Sequence, residues 1–494
     1  MAHESLAAER GSTNNGAEPI ERAFYHRGFA VAHSEWKLNR REFSAALAAS
    51  AAAWAPGAAA LAADANDDLL AGAAELAATP EPRGTFLIGA LQASTGVNDD
   101  LFVRGLVLAQ GEQRFAILTL DYLGFDLAFT ETLLAAASKA VGIPVENIML
   151  NCSHTHSAPL TAPWGPWKEY LNQACYKILP KKVDEVLRRA LGNLQRARLR
   201  YHREPTQLGF NRRLFNGQKV VMAPNPQGAV LPWVDVLSIE RTDGKPIAVL
   251  FSHAAHPVVV HEASTLISAD YPGFAIEALK KARGGDTVYL FAQGCCGNIN
   301  GFPLKGGLDA AAAVGRDLSE AVGRALDHLK GEGIAGSIRT HASQVELPLQ
   351  EPPSVEECRR RIEEEKNPER RQRLADLLVI AESGKPQTLR MPIRALAFGD
   401  LCLLATAHEP FAEYHQWFNE VCRFRHNMFF GYTTGLACYV GMKSDYELGD
   451  RGGYETSPRG AAFMFQSRLP VSAAGEGVLK EALRQTVEDL TRLR

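Results

Sequence analysis

Residues 153–159 read Ser-His-Thr-His-Ser-Ala-Pro and follow an apolar run at 147–150 that predicts a buried strand. Alternate residues of an extended segment point to the same side, so we expect His154 and His156 to face one pocket. In such a pocket one imidazole can bind a metal ion while the other accepts and donates protons. The alternative is that the two histidines only cap a turn in a loop of Ser, Thr and Pro.

Three further segments carry a possible metal ligand at or near the end of an apolar run. They are His256 before Pro257, His408 and Glu409 before Pro410, and the segment Ala437-Cys438-Tyr439-Val440 in an apolar-aromatic stretch. A following proline disfavours helical geometry and stiffens the turn, which lowers the entropy lost in holding a ligand. A single histidine at a strand end is more often a core or turn residue, so the hypothesis depends on the four segments together. His253 and His261 are out of phase with His256, and we expect them to be structural or exposed.

The pattern of apolar residues predicts the elements that position these segments. Strands are expected over 115–120, 148–152, 247–251, 287–291 and within 394–406, and helices over 128–141, 170–194, 411–424 and 476–494, with another opened by Pro272. Strand and helix alternate in a βαβ-like order. The expected fold class is therefore α/β, a mixed-sheet catalytic domain with helices packed around it and the metal site at strand ends.

The composition is that of a globular protein and excludes several classes of partner. The chain has 494 residues, 46% of them hydrophobic and 22% charged, and a net charge of -3. Without a dense block of Lys or Arg, we predict neither a nucleic-acid partner nor attraction to an anionic membrane surface. Eight cysteines are too few for a disulfide scaffold, and no paired Cys-x-x-Cys indicates a thiolate zinc site. The composition leaves the oligomeric state open.

The amino-terminal segment resembles a twin-arginine export signal. Arg40 and Arg41 precede an uncharged, alanine-rich run over 45–63 that contains a small-x-small cleavage site, Ala60-Leu61-Ala62. The alternative is an alanine-rich surface helix. We expect an export signal with an extended leader over 1–63, a flexible linker over 64–83, and a catalytic domain over 84–494 with a charged helical excursion near 354–385. The mature protein is then periplasmic or extracellular, without a transmembrane anchor.

Taken together, these segments resemble the neutral/alkaline, non-lysosomal ceramidase family. Its hallmark Ser-His-Thr-His-Ser-Gly-Pro is matched at 153–159 with alanine in place of glycine. Its His-Pro element is similar to His256-Pro257, and its glycine-rich loop after Phe-Ala-Gln is similar to 291–300. Its Gly-Glu turn corresponds to His408-Glu409, and its tyrosine followed by Tyr-Glu-Gly corresponds to Tyr439 and to Tyr454-Glu455. The order agrees throughout about 84–494, which is the family's amino-terminal catalytic domain.

The resemblance implies a zinc (Zn2+) hydrolase with His154, His256, Glu409 and Tyr439 as ligands and a water completing the site. It implies that His156 accepts the proton of that water and later protonates the leaving amine. Arg212 resembles the family's pocket arginine and Tyr454 its second pocket tyrosine, and both would stabilise an oxyanion. For Arg212 the alternative is a surface salt bridge, with Arg213 as the functional residue.

The resemblance departs from the family pattern in several places. Asn300 stands where the family has a serine, so any role of that hydroxyl is absent. Valines fill 258–260 in place of small polar residues, Pro410-Phe411 follow Glu409 in place of threonines, and these positions are expected to shape the pocket. Nothing corresponds to the family's carboxy-terminal immunoglobulin-like domain.

The sequence therefore predicts an exported zinc-dependent amidohydrolase that cleaves a small, lipid-like N-acyl substrate, such as a ceramide, into fatty acid and amine. One alternative is a related zinc esterase or amidase with a non-sphingolipid substrate. Another is a non-catalytic periplasmic binding protein that keeps the metal as structure. His156 argues against the last, because a structural site closes with four protein ligands and needs no proton-handling neighbour.

Overall fold

The computed structural model of this chain describes residues 68–81, 84–163, 165–284, 286–329, 333–464 and 467–493. The predicted export signal over 1–63 lies outside these residues and stays a prediction. Within the part of the chain that is described, no helix is long and apolar enough to cross a membrane.

The elements alternate along the whole described chain. The strands are β1 (Leu70–Ala77), β2 (Phe86–Leu87), β3 (Gln92–Ala93), β4 (Gly96–Val97), β5 (Phe102–Gln110), β6 (Gln113–Leu120), β7 (Ile148–Cys152), β8 (Gln195–Pro205), β9 (Gly209–Asn211), β10 (Arg213–Phe215), β11 (Val220–Met222), β12 (Trp233–Arg241), β13 (Pro246–His253), β14 (Leu266–Ile267), β15 (Val288–Gln293), β16 (Ile299–Gly301), β17 (Ile338–Pro348), β18 (Thr388–Phe398), β19 (Leu401–Thr406), β20 (Glu409–Pro410), β21 (His426–Phe430) and β22 (Tyr439–Val440). The α-helices are α1 (Leu127–Val141), α2 (Gln173–Gly192), α3 (Asp270–Arg283), α4 (Leu308–His328), α5 (Val355–Glu364), α6 (Pro368–Ser383), α7 (Ala412–Val421), α8 (Lys443–Tyr446), α9 (Gly453–Thr456), α10 (Ala461–Met464) and α11 (Gly475–Arg492).

Two mixed sheets form the middle of the fold. The larger has eight strands in the order β15-β13-β12-β8-β1-β5-β6-β7, and the smaller has four in the order β17-β18-β19-β21. The pairs β6–β7, β13–β15 and β19–β21 are parallel. The remaining pairs of both sheets are antiparallel. The prediction of a mixed-sheet α/β fold is confirmed.

The sheets pack face to face, and helices cover their outer faces. One apolar core joins Leu106 and Leu250 of the larger sheet to Leu396 and Leu403 of the smaller. Helices α1 and α2 lie on β1, β5 and β7, helices α3 and α4 lie on β8, β12 and β15, and α11 lies on β17 and β18. Alternation of side chains lets one strand serve both layers: Leu404, beside Leu403 in β19, belongs to the core under the helices. The result is four layers in the order helix, sheet, sheet, helix.

The prediction of a flexible linker over 64–83 is wrong at Leu70–Ala77, which form β1 between β8 and β5. The sequence Leu-Ala-Gly-Ala-Ala-Glu-Leu-Ala contains no β-branched residue, so propensity does not reveal the strand. Close packing explains its small side chains, because a Cβ added at Gly72 would lie 2.1 Å from the carbonyl oxygen of Ala190 in α2. The folded domain therefore begins before residue 84.

The charged segment 354–385 is a pair of capped helices between β17 and β18. The Ser354 hydroxyl accepts from the backbone N–H of Glu357 at the start of α5, and the Asn367 side chain accepts from Glu369 and Arg370 at the start of α6. Both helices are rich in surface ion pairs, including Arg360 with Glu364 at 2.7 Å. Exposed pairs of this kind contribute little to stability, typically less than about 1 kcal/mol each.

Gly72→Ala tests the packing of β1 on α2. We expect the free energy of unfolding to fall by about 1–3 kcal/mol, because the new methyl group meets backbone that cannot rotate away. The matched control is Gly192→Ala at the end of α2, where an added Cβ meets nothing within 4 Å. That change should leave stability equal or raise it by up to about 1 kcal/mol. Denaturant unfolding measures both, and equal effects of the two substitutions would contradict the packing.

Candidate metal centre

The four residues predicted as metal ligands all lie at strand ends. His154 follows β7, His256 follows β13, Glu409 follows β19, and Tyr439 begins β22. Glu409 begins β20, whose parallel partner is β22, and the two residues stand opposite each other in that pair. Each of β7, β13 and β19 has a parallel neighbour, and polar loops gather at the carboxyl ends of such strands.

The two buried histidines turn Nε2 toward Glu409 and Nδ1 toward backbone carbonyls. His154 Nδ1 donates to the carbonyl oxygen of Leu123 at 2.6 Å. His256 Nδ1 donates to the carbonyl oxygens of Cys296 at 2.8 Å and Ile299 at 3.0 Å. Because a carbonyl can only accept, the proton of each ring is on Nδ1, which is the metal-binding tautomer. Burial lowers the pKa of both imidazoles, to about 4 for His154, so both are neutral at pH 7.

Glu409 completes a cluster of electron-pair donors. Its Oε2 lies 3.2 Å from His256 Nε2 and 3.6 Å from His154 Nε2. His256 Nε2 is buried and has no hydrogen-bond partner among the described residues. Lone pairs on neutral imidazoles repel a carboxylate oxygen unless a cation or a proton lies between them. Tetrahedral zinc with bonds of about 2.0–2.2 Å keeps its ligand atoms about 3.3–3.5 Å apart, so these residues fit a zinc ion.

Two tyrosines contact Glu409, and one of them escapes the sequence analysis. Burial raises the pKa of Glu409, while hydrogen bonds from Tyr439 and Tyr432 lower it. The Tyr432 hydroxyl donates to Oε2 at 3.2 Å, and its ring lies 4.5 Å from that of His154. Tyr432 follows β21, so it lies at a strand end like the four predicted residues. This strand-end position is the sequence signal that could have identified it.

His156 is placed beside the cluster by a turn. Its Nε2 lies 3.4 Å from His154 Nε2, and the ligand atoms of His154, His156 and His256 all lie within 4.8 Å of one another. The two rings therefore face one pocket, as expected, but a turn brings them together instead of strand alternation, because His154 has φ of 67° in the left-handed region. His156 is only partly buried, so the cluster reaches solvent on this side. This position suits a proton-handling residue and also a further metal ligand.

The ring of His261 packs against the ring of His156. The sequence predicts it to be structural or exposed, and the structure stacks its ring on His156 with 5.5 Å between centroids. Burial, with nearby Lys305, lowers the pKa of His261 to about 4, so the ring is neutral at pH 7. Its φ is 43°, a left-handed conformation that the turn before Ser264 imposes. Chain alternation could not find this contact, since a turn sets the direction of the ring.

Arg212 is buried in a network of acceptors. Its Nε donates to Glu455 at 2.8 Å, its Nη1 to the Asn300 side chain at 2.8 Å, and its Nη2 to the Gly297 carbonyl at 2.9 Å. The surface salt bridge considered as an alternative is therefore wrong for Arg212. Arg213 is also buried and pairs with the other oxygen of Glu455. The role of Arg212 toward an oxyanion stays a prediction.

Asn300 replaces the family's serine hydroxyl with an amide that positions Arg212. Its Oδ1 accepts from that guanidinium, and its backbone stands opposite His256 in a bridge. Valines 258–260 are buried, with 0–3% of their surface exposed, and Phe411 is also buried. Because these residues are buried in the apolar core, their positions do not support the expectation that they shape the pocket.

Tyr454 stands at the rim. It is 45% exposed, and its ring lies 5.8 Å from that of Tyr439, which is buried. The Arg212 guanidinium lies over the other ring of this pair, 5.4 Å from the Tyr439 centroid. Tyr454 and His156 thus mark the two solvent-reaching sides of a site whose other members are buried.

Two amides tie the loops of the site together. Gln293, at the end of β15, donates from Nε2 to the carbonyl oxygens of Ser153 at 2.9 Å and Ala255 at 3.0 Å. These are the residues immediately before His154 and His256. Asn151 accepts from the backbone N–H of Gln293 and donates to the Gly431 carbonyl, beside Tyr432. A single buried side chain therefore sets the spacing of the two histidine loops.

The fold and the site define a class: a layered α/β protein with a buried cluster of imidazole and carboxylate at strand ends, open to solvent beside a third histidine. Two solved protein structures share this fold. The neutral ceramidase of Pseudomonas aeruginosa superposes with a TM-score of 0.67 and 21% identity over 87% of this chain and 75% of that chain. A ceramidase complexed with C2 superposes with a TM-score of 0.69 and 17% identity over 86% and 76%. A scan against protein-family models and a search of curated proteins find no match. The chain therefore has the ceramidase fold, and the predicted resemblance is confirmed at that level.

Gln293→Leu tests how the histidine loops are held. We expect metal affinity to fall about 10–100-fold, as for other residues that orient ligands, and stability to fall by about 1–3 kcal/mol because a buried carbonyl loses its donor. The control is Gln387→Leu, a half-buried glutamine whose side chain donates to the nearby Lys385 carbonyl, away from the histidine loops. Zinc competition and denaturant unfolding are the measurements. Unchanged metal affinity in Gln293→Leu would show that the loops hold their spacing without it.

Asp270→Asn should change how stability depends on pH. Burial raises the pKa of Asp270 from 3.8 to about 7, although its carboxylate accepts from the backbone N–H of Val260. The native protein thus keeps a proton that the unfolded chain releases, so stability is lost as pH rises from about 4 to 7. An asparagine has no such proton to lose, so the stability of the variant does not fall in this way. The difference in free energy of unfolding between wild type and variant should therefore shrink by up to about 1.4 kcal/mol per pH unit as the pH rises from about 4 to 7. Urea unfolding from pH 4 to 8 tests this, and a constant difference refutes it.

Proposed function

We propose that this chain is a zinc-dependent hydrolase that cleaves the amide bond of a lipid-like N-acyl molecule, such as a ceramide, into a fatty acid and an amine. The single observation that carries the proposal is the buried cluster of His154, His256 and Glu409, whose lone pairs converge with the ring protons turned away. The ceramidase fold, and the names of the two solved proteins that share it, support the choice of substrate class.

In this proposal His154, His256, Glu409 and Tyr439 hold the metal. Neutral imidazole and carboxylate are ligands that zinc prefers, and a buried set of this kind favours it over magnesium or calcium. A zinc ion bound there supplies Lewis-acid chemistry, polarising a carbonyl oxygen and lowering the pKa of water. Tyr432 donates to Glu409 and so fixes which carboxylate oxygen faces the histidines.

The chain's own residues then handle protons and charge. His156 Nε2 accepts one proton of the attacking water and returns it to the amide nitrogen as the C–N bond breaks, so the products are a carboxylic acid, which keeps the other water proton, and an amine. Arg212 places a fixed positive charge near Glu409 and beside the Tyr439 ring. Tyr454, half-exposed at the rim, is the residue we propose to contact the substrate first and to donate toward the developing oxyanion.

Activity on a panel of N-acyl sphingosines, N-acyl amino acids and fatty esters tests the substrate class, with His154→Ala as the blank. We expect the wild-type protein to release fatty acid from the N-acyl sphingosines. Cleavage of esters alone would support the alternative of a related esterase. No cleavage by a protein that binds zinc would support the binding-protein alternative, and turnover unchanged in His154→Ala would remove the mechanism.

His156→Ala and His256→Ala separate proton handling from metal binding. We expect His156→Ala to keep the wild-type metal content while activity falls about 10²–10⁴-fold, because it removes the acid and base. His256→Ala should lose one equivalent of zinc as well as activity. His341→Ala, a partly exposed histidine that faces Asp489, is the control and should change neither. Metal analysis and rate measurements decide the matter: loss of zinc in His156→Ala would instead make this histidine a ligand.

A further inference from the structure

A second convergence of imidazole and carboxylate lies on the outer face of β8. His202 and Glu204 are two residues apart in this strand and therefore point to the same side, toward α4. His328 is the last residue of α4 and meets them there. Glu204 Oε2 lies 3.3 Å from His202 Nε2 and 3.3 Å from His328 Nδ1. The three ligand atoms all lie within 4.8 Å of one another.

These distances match the spacing of ligands around a metal ion. Tetrahedral zinc at about 2.0–2.2 Å from each ligand keeps the ligand atoms about 3.3–3.6 Å apart, so the two 3.3 Å contacts of Glu204 Oε2 fit ligands of one shared ion. The Glu204 side chain is 10% exposed, while those of His202 and His328 are 34% and 52% exposed. The carboxylate is thus fixed and partly desolvated, and a cation can enter from solvent past the two rings.

Near Glu204, the Arg324 guanidinium competes with a cation for the carboxylate, while the carboxyl end of α4 favours a cation. Arg324, one turn before His328 on α4, donates to the other carboxylate oxygen, Oε1, at 2.9 Å. Its side chain is half-exposed, so it holds that oxygen without closing the site. Arg200, the next basic residue of β8 on this face, is engaged with Glu240 at 3.3 Å. The carboxyl end of α4 carries the negative end of the helix dipole, which stabilises a nearby cation.

We propose that His202, Glu204 and His328 form a second cation site, separate from the candidate metal centre, that takes a borderline divalent ion such as Zn2+. Two imidazoles and one carboxylate suit Zn2+, Cu2+ or Ni2+ better than Mg2+ or Ca2+, which prefer oxygen. Three protein ligands leave a position for water, and the exposure of both rings makes the ion exchangeable. By joining the end of α4 to β8, the ion ties the outer helix layer to the larger sheet and stabilises the folded chain.

Cobalt titration of chelator-treated protein tests this proposal, because Co2+ occupies zinc sites and its visible absorption reports each equivalent. We expect two equivalents in the wild-type protein, one in His256→Ala, and none in His256→Ala combined with His328→Ala or with His202→Ala. Zinc should raise the melting temperature of His256→Ala by about 3 °C and leave that of each double variant unchanged. His256→Ala combined with His341→Ala is the matched surface-histidine control and should keep its one equivalent.

Arg324→Gln distinguishes a cation site from an ion-pair network. Removing the competing guanidinium frees a carboxylate charge, so in the His256→Ala background this change should tighten Co2+ binding at least threefold. No saturable uptake by His256→Ala up to about 1 mM Co2+ would overturn the proposal, as would uptake that survives both His328→Ala and His202→Ala. If the wild type binds one equivalent that these two variants remove, the second site stands and the proposed metal centre fails, so the two failures are distinguishable.

Discussion

The central constraint on this structure is the mutual repulsion of three electron-pair donors that the fold buries side by side. Two neutral imidazoles and a carboxylate are buried with their electron pairs facing one another and with the ring protons committed to backbone carbonyls. Desolvation makes such a cluster costly unless a positive charge lies at its centre. The free energy that other parts of the fold supply therefore offsets the cost of burying this cluster.

That free energy comes from the apolar layers and from the amides that link the loops. Strands β7, β13, β15, β19 and β21 end at one region of the molecule, and their ends carry His154, His256, Gln293, Glu409 and Tyr432. Gln293 and Asn151 fix the distances between these strand ends, because the side chain of each forms hydrogen bonds to the backbone of two other loops. Left-handed backbone at His154, Tyr432 and His408 shows how far the loops bend to point their side chains inward.

Charge around the cluster is balanced locally. Glu455 accepts from both Arg212 and Arg213, which keeps one guanidinium near the ligands and turns the other toward Asp445. His408 shows another solution to the same constraint. Its backbone is left-handed, with φ of 65°, and its ring donates to the Arg390 carbonyl and accepts from the Ala437 N–H. Those two hydrogen bonds offset the strain that a side chain adds there.

The sequence by itself determined which residues end strands, because apolar runs followed by histidine, glutamate or tyrosine are local patterns. It therefore predicted the α/β class and β7 with its correct bounds, and the resemblance of its motifs to a known family implied four residues that the structure brings to one region. It could not find β1, whose alanines and glycine make sense only against α2, nor Tyr432 and His261, whose directions are set by turns. Tertiary structure alone decided these contacts, and likewise that Arg212 is buried and that His202, Glu204 and His328 meet. The physical reason is that side-chain direction in a turn, and contact between distant segments, depend on packing that no local pattern encodes.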